Sequence, residues 1–80
     1  MDKDKKEKIR AIEEMIQVVL LRIPKEVEAM KFYLSAAKKA TSEKARNLFQ
    51  NLAEQEKGHE AELKRILLEL KDELRKIKEK

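Results

Sequence analysis

The sequence predicts an all-α protein, an antiparallel helical hairpin, on three observations. Charged residues make up 45% of the 80-residue chain and aromatics 4%, with one glycine and one proline, the composition of long helices rather than strands. Apolar residues recur at alternating spacings of three and four along both halves, the mark of a helix that buries one stripe. A single short polar stretch, Ala40-Thr41-Ser42-Glu43, separates the two runs. So brief a connection forces the arms to lie side by side and antiparallel.

The first helix is expected over about residues 4–40. Its seam runs Ile9, Ile12, Ile16, Val19, Ile23, Glu26, Met30, Tyr33, Ala37, Ala40, and Leu20, Val27, Ala29, Phe32, Leu34 and Ala36 widen it. Pro24 cannot donate to the carbonyl of Leu20 and its ring crowds that turn, so a kink or a local break is expected there. Thr41 or Ser42 can cap the second helix, and Glu43 places negative charge in its first turn, where the helix dipole favours it. That helix is expected over about residues 43–78, with a seam of Ala45, Leu48, Leu52, Glu56, His59, Leu63, Ile66, Leu70, Leu74 and Ile77. Residues 1–80 thus read as one helical-hairpin domain.

Composition also excludes much. There is no cysteine, so disulfides, thiolate metal sites and thiol chemistry are ruled out. A domain this small usually needs a metal or a partner subunit when disulfides are absent. No apolar run is long enough to span a membrane, and the charged start lacks a secretory apolar segment. A cytoplasmic protein is expected, without a membrane partner. The net charge of +4 arises from a surplus of two cations in residues 1–10 and another two in residues 71–80. Between them the signs are balanced and interspersed, a solvated surface rather than a nucleic-acid stripe. No P-loop, nucleophile elbow or nucleotide-binding glycine loop is present.

The chemistry is concentrated where the seams are broken. Glu26 interrupts the apolar line of the first arm; Glu56 and the sole histidine, His59, interrupt that of the second. Glu28, Glu54 and Glu60 fall off the seams. With the turn centred near residue 41, Glu26 lies across from residue 56 or 57, so the two interruptions meet at one level. Two carboxylates facing one imidazole leave negative charge uncompensated in an apolar setting, which costs several kcal/mol or forces protonation. Two such hairpins packed together would gather four glutamates and two histidines. Donors of this kind suit divalent first-row metals, so Glu26, Glu56 and His59 are the candidate ligands. A Glu-x-x-His pair alone would read more simply as a surface polar pair.

The stretches Glu26-Val27-Glu28-Ala29-Met30-Lys31-Phe32-Tyr33 and "LFQNLAEQEKGH" over residues 48–59, followed by "EAEL", resemble the rubrerythrin branch of the ferritin-like di-iron carboxylate proteins. The resemblance covers about residues 10–70. It implies that Glu26, Glu56 and His59 bind iron, with Tyr33 hydrogen-bonding a ligand carboxylate. It implies a di-iron cofactor, with Mn or Zn as possible substitutes, in oxidoreductase chemistry of the ferroxidase or peroxide-scavenging type. A full rubrerythrin-like bundle holds two helix pairs and this chain has one. The layout is therefore similar to short hairpin-only ferritin-like proteins, including encapsulated ferritins. These complete a ferritin-like four-helix bundle, and its site, as a homodimer or higher homo-oligomer. Two other readings stand beside this one. One is a helical interaction module or designed bundle with a structural or vestigial metal site. The other is half of a longer two-repeat protein.

Overall fold

In the computed structural model, which describes residues 2–79, two long helices form a hairpin. Helix α1 spans Asp2–Lys39 and α2 spans Glu43–Glu79. They lie antiparallel in a rod of 62 × 14 × 12 Å. Their ends carry the expected charges: Asp2 and Asp4 in the first turn of α1, Lys38 and Lys39 in its last, and Glu43 at the start of α2.

Ser42, rather than Thr41, caps α2. Its Oγ accepts a hydrogen bond from the Ala45 N–H at 3.1 Å, and its carbonyl accepts from the Arg46 N–H at 3.0 Å. The Ala40 N–H closes α1 on the Ala37 carbonyl at 3.3 Å. No residue among those described needs a positive φ to make this turn. Two capped helices and a three-residue connection fix the antiparallel pairing. Toward the open end, Lys78 Nζ of α2 reaches Glu13 Oε2 of α1 at 3.8 Å.

Pro24 does not break α1, contrary to one of the two outcomes expected there; the helix continues through it. The proline is exposed, and α1 carries the lost hydrogen bond to the Leu20 carbonyl without ending.

The apolar core lies in the half of the rod away from the turn. Ile12, Ile16, Val19 and Leu70 are buried there, with Ile23, Leu63, Ile66, Leu67, Leu74 and Ile77 packed against them. Near the turn the buried residues are small, Ala37 and Ala53, and the helices approach closely. Ala53 lies off the expected seam, whereas Leu48, placed on it, is exposed. The packed face of α2 is rotated toward Ala53 in this half, because an alanine lets the backbones come together where a leucine would hold them apart.

Two helices cannot cover all the apolar side chains they carry. Met15, Val18, Leu21, Phe32, Leu48 and Leu68 each leave more than half their surface exposed. Several fall on a second helical line beside the packed one. Ala11, Met15, Val18, Arg22, Lys25, Ala29, Phe32 and Ala36 recur at alternating spacings of four and three. The outer face is instead ordinary: Arg65 pairs with Glu62 and Glu69, and Arg75 with Asp72 and Glu79. Such exposed, solvent-screened pairs contribute little to stability.

Candidate metal centre

Midway along the rod, α1 presents Glu26 and α2 presents Glu56 and His59. These three come together: each offers one donor atom, and the three atoms lie within 4.8 Å of one another. His59 Nδ1 stands 3.7 Å from Glu26 Oε2 and 3.7 Å from Glu56 Oε2. The spacing of three on α2 places Glu56 and His59 on one face, a turn apart. The register of the hairpin brings Glu26 opposite.

Burial is graded across the group. The side chain of Glu26 is 7% exposed, that of Glu56 20% and that of His59 62%. Glu26 is the one buried charged residue among those described. The site is therefore closed on the α1 side and open where the imidazole stands.

Glu26 is not left bare. Arg22, one turn earlier on α1, donates from Nε to Glu26 Oε1 at 2.8 Å. The other carboxylate oxygen, Oε2, is the one turned toward His59. Hydrogen bonding with Glu56, and then with Arg22, holds the Glu26 carboxyl below the usual carboxylate range, against the opposing effect of burial. Glu56 is held above that range, first by its hydrogen bonding with Glu26, then by burial and by the Glu26 charge. Of the two acids, Glu26 is thus the one more readily ionised.

The donor set fits a divalent first-row ion. Ligands held at about 2.1 Å from one metal stand roughly 3.0 Å apart on an octahedral edge and 3.4 Å on a tetrahedral one. The imidazole's separations of 3.7 Å exceed these by about 0.3–0.7 Å, and all three donor atoms lie within 4.8 Å of one another. The 3.7 Å separations are also too long for hydrogen bonds, so the imidazole is not bonded to either carboxylate. Two oxygens and one nitrogen match the preference of such metals for carboxylate and imidazole. Three protein donors leave positions on the ion open to solvent, to a small oxidant or to donors from another chain.

The remaining residues singled out in the sequence lie near the group without joining it. Tyr33 is half-buried, and its ring meets Phe32 edge-on at 5.6 Å between centroids. Among the described side-chain hydrogen bonds, none links Tyr33 to Glu26 or Glu56. Glu60, placed off the seam, is half-buried and pairs with Lys64 at 3.4 Å. Gly58 faces open space, with nothing within 4 Å of where a Cβ would stand. Sequence reasoning overlooked Arg22. The signal for it was there, as an Arg four residues before a Glu that had already been singled out.

A family model described as Rubrerythrin matches residues 4–80. No curated protein and no solved structure gives a significant match.

Proposed function

From the premise that the chain belongs to the rubrerythrin family of di-iron carboxylate proteins, we propose that Glu26, Glu56 and His59 hold iron and that two hairpins join to form the complete site. The observation that carries this reading is the meeting of the three donor groups, from both helices, around the one buried charge in the described chain.

The case for a second copy rests on surface. The hairpin exposes 6502 Å², whereas a compact monomer of 9.5 kDa would expose about 5,000 Å². The excess, on the order of 1,500 Å², is more than the roughly 800 Å² per partner of a standard interface. The apolar line through Met15, Val18 and Phe32 supplies the material for such a contact. Val18, Arg22 and Leu63 line one groove, so this line lies beside the site. A four-helix bundle closed on this face would cover the imidazole and bring two sets of ligands together.

Iron in that pocket would supply electron exchange between the ferrous and ferric states, with O₂ or peroxide as the oxidant. The side chains do the rest. Glu26, held below the usual carboxylate range, would be the readier anionic donor, and Glu56, held above it, the one whose ligation competes more with protons. His59 contributes a neutral donor that adds no charge. Apolar residues on either side keep bulk water from the buried carboxylate. Tyr33, two turns after Glu26 on the same helix, would hydrogen-bond a ligand carboxylate in the assembled site. The resulting activity is oxidation of Fe(II), either as a ferroxidase or in peroxide removal.

Anaerobic addition of Fe(II) followed by air tests this. The reading calls for a ferric near-ultraviolet absorption that saturates at about two irons per dimer. Glu56→Ala should abolish it while the far-ultraviolet helical signal persists. A spectrum that stays featureless in the wild-type chain would leave a helical interaction module instead.

A further inference from the structure

We propose that Arg22 is a placeholder cation, occupying Glu26 Oε1 in the metal-free protein and leaving it when a divalent ion takes the carboxylate. This inference rests on the metal-binding reading of the site.

A carboxylate whose side chain is 7% exposed needs a counter-charge. His59 does not make a hydrogen bond to it, at 3.7 Å. The guanidinium does, through Nε at 2.8 Å, and an arginine carries its charge at every accessible pH. Arg22 therefore fills the electrostatic role that a metal would otherwise take.

The contact is also built to be released. It is a single bond through Nε rather than the two-point fork that arginine makes when it clamps a carboxylate. In the single hairpin the Arg22 side chain is 60% exposed, so its head can leave Oε1 without first being freed from a packed core. Nothing else ties it down, since Arg22 makes no other ion pair among those described. An ion seated between Glu26 Oε2, Glu56 and His59 would lie within a few ångströms of the guanidinium. Two positive centres would then share one carboxylate, and their repulsion raises the energy of the loaded state. The same arginine thus stabilises the empty hairpin and weakens its hold on a cation. A site of this kind releases its ion more readily than one with the same donors and no arginine.

The test uses Zn(II), which binds without redox chemistry, on the full chain and two variants, Arg22→Gln and Arg22→Lys. In Arg22→Gln, Zn(II) should bind several-fold more tightly while the metal-free protein melts at a lower temperature. Arg22→Lys keeps a cation within reach and should return both values toward wild type. In the wild-type chain, the NMR signal of the Arg22 Nε–H should be protected without metal and lose that protection when Zn(II) is added. This last measurement stands even if Arg22→Gln fails to fold. Weaker or unchanged Zn(II) binding in Arg22→Gln, or an Nε–H signal that Zn(II) does not alter, overturns the placeholder while leaving the metal site intact. A wild-type chain that binds no Zn(II) overturns both.

Discussion

The two halves of the rod solve different problems with the same helical spacing. Away from the turn, Ile12, Ile16, Val19 and Leu70 fill the seam with interlocking aliphatic side chains. At the middle, the same seam positions hold Glu26, Glu56 and His59, and the imidazole stands 3.7 Å from both carboxylates, too far for a hydrogen bond to either. The first region supplies stability and the second gives some of it up. A hairpin optimised only for folding would carry leucines throughout. Ionisable groups at those three positions therefore point to a ligand that compensates them, and the contrast can be tested by altering each region alone.

The largest effect is expected in the aliphatic half. Leu70→Ala removes a buried side chain that few neighbours can collapse around, so about 2–5 kcal/mol of stability should be lost in a denaturant titration. In a domain this small that is a large share of the total. Next comes the polar half. Glu26→Leu should move the unfolding midpoint of the metal-free protein upward, because a buried charge is replaced by a packed apolar group. The same change should remove metal binding in an equilibrium titration. Opposite signs from these two substitutions would establish the division; destabilisation by both would erase it.

A smaller and graded effect should come from acid. The Glu56 carboxyl is raised above its ordinary 4.5, chiefly by hydrogen bonding with Glu26. A metal must therefore displace a proton from Glu56 at pH values where an ordinary carboxyl is already ionised. Metal affinity should fall as pH is lowered from neutral toward about 5, and binding at the lower pH should release protons to the buffer. Titration calorimetry in buffers of different ionisation enthalpy measures that release. Binding with no dependence on pH would place the ion elsewhere. The smallest effect is expected at Gly58, on the open outer face. Gly58→Ala should raise stability by up to ~1 kcal/mol through helix propensity and leave metal affinity unchanged.

Much of this arrangement is legible from residue spacing alone. The hairpin follows from two heptad-like runs and one capped turn. The pocket stands out because three ionisable residues occupy positions where the pattern calls for leucine, at levels that the turn brings together. Features that depend on how the two helices rotate against each other are not legible in that way. The burial of Ala53 and the exposure of Leu48 reflect close backbone approach near Ala37, which no one-dimensional pattern encodes. Pro24 reads as a helix breaker in sequence, but its placement on the solvent face allows α1 to pass through it. Arg22 sits a fraction of a turn off the seam, and its bond to Glu26 becomes visible only once the carboxylate is known to be buried. Tyr33 shows the converse: its spacing from Glu26 marks it, yet none of the described hydrogen bonds ties its hydroxyl to a carboxylate.

The most direct test is anomalous diffraction from crystals grown with Mn(II). A peak within bonding distance of Glu26, Glu56 and His59 together, in a bundle of two chains, is the expected result. An ordered ion elsewhere, or side chains at these positions turned to solvent around an empty pocket, would contradict the account.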